Sequence, residues 1–309
     1  MKNKTVLISV IVCTYNRASL LKNCLRSLEK QTASKKIYEV IVVDNNSNDN
    51  TPQIVKDFSK GQLNIRGVAE NKQGLSYARN RGWREAKGKY IAYIDDDAEA
   101  EQDWVEQIMV FIEKNPKINV FGGPYGRFAL KPFPNWLPEN CFTLNLGNKE
   151  KALNFKNEWI SGSNMIFNKI LFYKYGGFKT DLGMKGSKIL YGEETEFLLR
   201  LKKIGEPIYY VPKIRVKHLV AERKLNLWWL LKSDYLHNFS YSLLKKPKFN
   251  FLRGAVSFIL ALLFIPVYLI DIRKGMIKRR LYYGLSSIFL SLGQMVGSIY
   301  NLRIKLFNK

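Results

Sequence analysis

Tyr90-Ile91-Ala92-Tyr93-Ile94-Asp95-Asp96-Asp97 is an apolar run of strand length that stops at three consecutive carboxylates. A strand covered on both faces reads as continuous apolar residues. In open α/β sheets, ligands sit beyond the carboxyl ends of the strands. The three aspartates are therefore expected at a sheet edge, facing a ligand. Adjacent like charges repel, and a bound cation relieves that cost. A hard divalent ion with oxygen ligands, Mn²⁺ or Mg²⁺, fits this chemistry and commonly holds substrate phosphates too. The competing interpretation is an acidic loop ahead of a helix, whose positive N-terminus tolerates carboxylates.

Upstream, Val6-Leu7-Ile8-Ser9-Val10-Ile11-Val12-Cys13 and Tyr38-Glu39-Val40-Ile41-Val42-Val43 are two more buried-strand runs. Between them Leu20, Leu21, Cys24, Leu25 and Leu28 recur at helical spacing. Thr51-Pro52 opens a second helix, a short strand is expected near Leu63-Asn64-Ile65, and a third helix runs from about Gly74 to Ala86. Strands alternating with such helices indicate βαβ units and a parallel sheet. Three strands in succession end in polar residues: Thr14, Asp44 and Asp95. In a parallel sheet those ends lie side by side.

The middle of the chain is less regular. A helix is expected over residues 102–113 and a strand over 118–121. Residues 159–167 read as a strand interrupted by a small-residue turn, and residues 184–191 as a mobile loop. Glu193-Glu194-Thr195-Glu196 opens a further helix, followed by two short strands, 208–211 and 214–218.

Of 309 residues, 46% are hydrophobic, enough for a sizeable core, and the net charge is +24. So large an excess calls for an anionic partner: nucleic acid, membrane or phosphorylated substrate. From Glu222 onward, fifteen lysines and arginines face three acids, which places half of the excess in the last 88 residues. Cys13, Cys24 and Cys141 are few, odd in number and without metal-ligand spacing, which suits a reducing compartment. The N-terminal apolar run is expected to be a first strand and not a signal peptide.

Taken together, Val10-Ile11-Val12-Cys13-Thr14-Tyr15-Asn16-Arg17, Val42-Val43-Asp44-Asn45-Asn46-Ser47, Gly74-Leu75-Ser76-Tyr77-Ala78-Arg79-Asn80-Arg81-Gly82, Ile94-Asp95-Asp96-Asp97, Gly162-Ser163-Asn164, Gly176-Gly177-Phe178 and Gly192-Glu193-Glu194-Thr195-Glu196 resemble, in order, the motifs of the family-2 glycosyltransferases. The resemblance covers roughly residues 6 to 222. It implies the GT-A fold, a Rossmann-like mixed sheet with helices on both faces. It also implies inverting transfer of a sugar from a nucleotide-sugar donor to an acceptor hydroxyl, with Mn²⁺ or Mg²⁺ as cofactor. Thr14 and Asp44 should then contact the base, Arg79 should position the nucleotide and Asp95 should face the ribose. Asp96 should lie near the donor sugar or metal, and Asp97 should bind the metal, completed by His218. Alternatively, Arg79 is a surface helix residue, Asp44 a turn former and His218 a structural histidine.

Glu194 is the candidate general base. Family members usually carry Glu-Asp here, with the aspartate as base. This chain has Glu-Glu, one methylene longer, so Glu193 is a second candidate. Both also suit a helix N-terminus electrostatically.

Residues 254–270 and 281–301 are free of charge and approach spanning length, but the first contains Pro266 and the second is diluted by serines. The linker 271–280 between them carries five basic residues. Two full spans would carry that linker away from the catalytic side, against the positive-inside tendency. The sequence therefore predicts a catalytic domain over residues 1–244 and a basic, apolar helical tail over 245–309. The tail is expected to lie in or on the cytoplasmic face of an anionic membrane. The expected donors are UDP-, GDP- or dTDP-sugars, and the acceptor a glycan or lipid-linked molecule of cell-surface polysaccharide or glycolipid synthesis. No nucleic-acid partner is expected, because the basic excess lies beside apolar helices and not on a groove-reading motif. Two other functions fit less well: a nucleotidyltransferase, which would want a Gly-rich loop where Thr14-Tyr15-Asn16-Arg17 stands, and a non-enzymatic basic protein binding membrane or nucleic acid.

Overall fold

The computed structural model describes residues 6–155, 158–186, 190–269 and 277–307. The expected loop 184–191 and linker 271–280 fall partly outside them, as does the extreme N-terminus. The elements are, in order, β1 (Ile8–Thr14), α1 (Ala18–Glu29), β2 (Tyr38–Asp44), α2 (Thr51–Phe58), β3 (Ile65–Ala69), α3 (Leu75–Glu85), β4 (Tyr90–Asp95), β5 (Ala98–Ala100), α4 (Trp104–Lys114), β6 (Val120–Gly122), β7 (Tyr125–Phe128), β8 (Lys151–Ala152), β9 (Met165–Asn168), α5 (Ile170–Tyr175), α6 (Glu193–Lys203), β10 (Ile208–Tyr210), β11 (Val216–Leu219), α7 (Leu227–Ser242), α8 (Pro247–Leu269) and α9 (Ile277–Phe307).

The main sheet has the order β3-β2-β1-β4-β9-β6-β10-β8. β1 pairs in parallel with β2 and β4, and β2 with β3. β9 is antiparallel to both β4 and β6, so the sheet is mixed and not uniformly parallel. Alternating side chains explain why the strands read as unbroken apolar runs. Val10, Val12, Val40, Val42, Ala92 and Ile94 feed one core, with α1 and α4. Ile11, Ile41, Val43, Ile91 and Tyr93 feed the other, with α3, α5 and α6. A smaller sheet, β5-β11-β7, joins the segment after β4 to a strand more than a hundred residues later, β11 running antiparallel to β5.

Two local expectations shift. The strand near Leu63 begins at Ile65, while Leu63 is buried ahead of it. Of residues 159–167 only the last three are strand, because the small-residue stretch serves another purpose. Asn164 Nδ2 donates to the carbonyls of Pro124 and Ile214, and its Oδ1 accepts from the Trp104 indole at 2.9 Å.

The contacts divide the chain into two compact units. One comprises Met1–Phe128, Phe142–Ser187 and Glu193–Leu219; the other comprises Ala129–Cys141, Lys188–Gly192 and Val220–Lys309. The division falls earlier than the expected boundary at residues 244/245, because α7 packs with the C-terminal helices. Gly293 and Gly297 on α9 permit that packing: a Cβ on Gly293 would come 2.1 Å from the Tyr235 carbonyl oxygen, and one on Gly297 2.5 Å from that of Phe239. Pro247–Phe264 is long and apolar enough to cross a membrane by length and composition.

Candidate active site

The register of the sheet brings the polar strand ends together. Thr14 pairs with Asp44, and Cys13 with Asp95. Beyond β1 and β2 the chain turns through Asn16 and Asn46, both at positive φ (52° and 67°), a region asparagine tolerates better than most residues. Asn16 Oδ1 accepts from the Asn48 amide, which ties the two turns together. Asp44 accepts from the Ser47 amide. Asn45 donates to the carbonyls of Glu70 and Lys72 and accepts from the Gly74 amide, and so fixes the entry to α3.

The three aspartates diverge. Asp95 and Asp97 turn toward β11, where His218 Nε2 lies 3.5 Å from Asp95 Oδ2 and 3.1 Å from Asp97 Oδ1. One ligand atom from each of these three residues falls within 4.8 Å of the others. His218 Nδ1 is 3.1 Å from the Leu219 carbonyl oxygen, a contact that orients the ring with Nε2 toward the carboxylates. The two carboxylates push the imidazole pKa up to about 10 against the effect of burial, so without a cation the ring itself supplies the positive charge.

Asp96 turns inward. It is buried, accepting from Thr14 Oγ1 at 2.8 Å and from Arg17 Nη1 at 3.0 Å. Burial raises its pKa to about 6 despite Arg17. The Arg17 guanidinium also reaches Asp97 Oδ2 at 3.1 Å. In the sequence Arg17 stands at the end of the first motif with no role of its own. The signal available was the demand of three adjacent carboxylates for a nearby cation.

Arg79 is no surface residue. It is 3% exposed and lies 2.5 Å from Glu193 Oε1, 3.7 Å from Asp95 Oδ1 and 3.9 Å from Glu194 Oε2. It thus joins α3, α6 and the end of β4. Gly162 makes room for it, since a Cβ there would come 2.6 Å from Arg79 Nη2. Glu193 is fully engaged with Arg79. Burial, aided by the adjacent Glu194 charge, lifts its pKa to about 8. Glu194 is less enclosed, with its side chain 26% exposed, and among the described residues its Oε2 has no hydrogen-bond partner. Two acids of one helical turn therefore differ in surroundings: Glu193 is buried against Arg79, whereas the Glu194 side chain is partly exposed, with its Oε2 buried and without a hydrogen bond among the described residues.

Two carboxylates and one imidazole form an O,O,N donor set that could hold a divalent metal ion. A mixed sheet whose strand ends carry this trio, beside an arginine-held acid pair at the start of a helix, is a GT-A-type nucleotide-sugar transferase architecture. The glycosyl transferase family 2 model matches residues 9–176, and the chain belongs to that family. It is 30% identical over 239 residues to the glucosyl-dolichyl phosphate glucuronosyltransferase of Haloferax volcanii, a match covering 75% of each chain. Among solved structures it resembles S. aureus TarS 1-349 in complex with UDP-GlcNAc (TM-score 0.56, 22% identity, 71% of this chain and 59% of that one). It also resembles the mannosyltransferase PcManGT from Pyrobaculum calidifontis in complex with GDP-Man and Mn²⁺ (TM-score 0.54, 17% identity, 98% of this chain and 75% of that one).

Proposed function

We propose that this glycosyltransferase moves a sugar, with inversion, from a nucleotide-diphosphate donor to the hydroxyl of a glycan or lipid-linked acceptor at the cytoplasmic face of a membrane, in polysaccharide or glycolipid synthesis. The observation that carries this reading is the meeting of Asp95, Asp97 and His218 beside the Arg79–Glu193–Glu194 cluster at the strand ends. Asp95, Asp97 and His218 would hold Mn²⁺ or Mg²⁺. A bound ion of this kind supplies Lewis-acid stabilisation to the charge that develops on the leaving diphosphate.

The remaining roles belong to side chains. The turns after β1 and β2, with Thr14 and Asp44, form the nucleoside end. Arg17 fixes the Asp96 and Asp97 carboxylates in place. Arg79 sets the positions of Glu193 and Asp95. Glu194 accepts the acceptor's hydroxyl proton on its carboxylate while the acceptor oxygen bonds to the anomeric carbon and the bond to the phosphate oxygen breaks on the opposite face. The partial exposure of the Glu194 side chain supports it as base; Glu193, buried against Arg79, serves to hold the guanidinium in turn. The names of the relatives favour a lipid-linked acceptor and leave uridine and guanosine donors both open.

The test is titration calorimetry and donor hydrolysis with UDP-, GDP- and dTDP-sugars, with and without Mn²⁺. One donor should bind in the micromolar range and turn over only with the ion present. Uptake of neither Mn²⁺ nor any donor would overturn the assignment.

A further inference from the structure

We infer that α7, α8 and α9 form one monotopic unit lying along an anionic bilayer, with the outer face of α8 sunk among the acyl chains and no helix crossing. This rests on the membrane attachment proposed above and adds to it the orientation and the inserting face.

α8 has two unlike faces. Phe249, Leu252, Val256, Ile259 and Leu263 recur at three- and four-residue steps and are 58–73% exposed, an apolar stripe along one side of the helix. The opposite side is a polar seam. Asn250 Nδ2 donates to Ser242 Oγ on α7 (2.9 Å) and to Ser298 Oγ on α9 (2.8 Å), and Gln294 Nε2 donates to the Asn250 carbonyl (2.9 Å). Asn301 Nδ2 lies 3.0 Å from three carbonyl oxygens at the end of α7, those of Ser242, Leu243 and Lys245. These bonds lock the three helices together. A bilayer that took α8 and α9 across would therefore take α7 as well.

α7 is unsuited to that. It carries Lys232 and His237 exposed, and Asp234, which accepts from Ser286 at 2.6 Å. Charged groups within a hydrocarbon layer are costly. A cleft of about 380 Å³ between the helices adds to this, because its walls include Asn238, Ser257, Ser287 and Gln294, side chains suited to a hydrated headgroup depth.

Charge placement selects the lipid surface. α8 and α9 run antiparallel, with Asn250 against Ser298 and Leu260 sharing the cleft with Gly284. Lys245, Lys246, Lys248 and Arg253 therefore stand at one end of the bundle, and Lys278 and Arg280 at the other, where Arg279 is turned onto the carbonyls of Asn135, Trp136 and Leu137. A crossing bundle would place one basic cluster on each side of the membrane, against the positive-inside tendency. A bundle lying flat keeps both clusters in one anionic headgroup layer, where each basic residue adds to binding.

The test uses full-length protein in inverted membrane vesicles from expressing cells. Lys246→Cys and Lys278→Cys are labelled separately with a membrane-impermeant maleimide, over the background of the parent chain. Both should label to the same extent without detergent. Labelling of one only after permeabilisation would overturn the flat orientation while leaving membrane attachment intact. Separately, Leu252→Glu with Ile259→Glu should weaken binding to phosphatidylglycerol-containing vesicles by about tenfold or more, with donor hydrolysis in detergent unchanged. A parent chain that fails to sediment with such vesicles would remove the membrane reading itself. A detergent-free dimer indifferent to vesicles would assign the apolar stripe to a second copy and overturn the proposal.

Discussion

The difference between Glu193 and Glu194 is one of surroundings. Glu194→Gln removes the proton acceptor and keeps the shape. It should lower transfer by roughly 10²–10⁴-fold while donor binding stays within a few fold, as measured by product formation against calorimetry. Glu193 governs stability in a definable pH window. Its pKa is raised from 4.5 to about 8, so the folded protein keeps a proton that the unfolded chain releases as pH rises through 4.5. Stability should therefore fall between about pH 4.5 and 8, with a limiting slope near 1.4 kcal/mol per pH unit, and level off above. Thermal unfolding of Glu193→Gln should show a flatter profile over that range; an unchanged slope would place the buried proton elsewhere. Residues at strand ends were legible, because an apolar run that stops at Thr14, Asp44 or Asp95 shows where the sheet stops. The pairing of Asp97 with His218 was not, since 121 positions separate them in sequence; only the family resemblance pointed to it. The role of Arg17 was hidden because a cation in a loop looks solvated until its partners fold around it; Arg79 is reached only through the family resemblance, and its burial has no signature in the sequence.

At the level of elements, glycines decide which pieces approach. Gly293 lets α7 lie against α9. Gly293→Leu should force them apart, seen as faster protease cleavage within α7, and should cost about 1–3 kcal/mol or more of the helical unit's stability. Similarly, Gly162→Ala would press on the Arg79 guanidinium. The periodicity of α1, α3 and α6 was readable from sequence, as was the switch to strand. The charge and hydropathy change near residue 245 suggests a domain boundary there, while the compact units group α7 with α8 and α9 and add two earlier segments to them. Backbone proximity at a glycine has no compositional signature.

For the whole molecule, this division predicts how truncations behave. A chain cut after Lys245 retains α7 without the helix it packs against, and light scattering should show it aggregating. A cut after Leu219 removes α7 as well and should give the less sticky product; equal aggregation of the two would place α7 with the catalytic unit after all. The site itself is drawn from nearly the full length of that unit, from Thr14 to His218, with β11 laid beside β5 late in the sequence. During synthesis the turns after β1 and β2 and all three aspartates leave the ribosome long before the histidine does. A nascent chain stalled ahead of β11 would carry Asp95 and Asp97 without the imidazole that faces them, so the trio is complete only with the final strand of that unit, just before the helical unit is made.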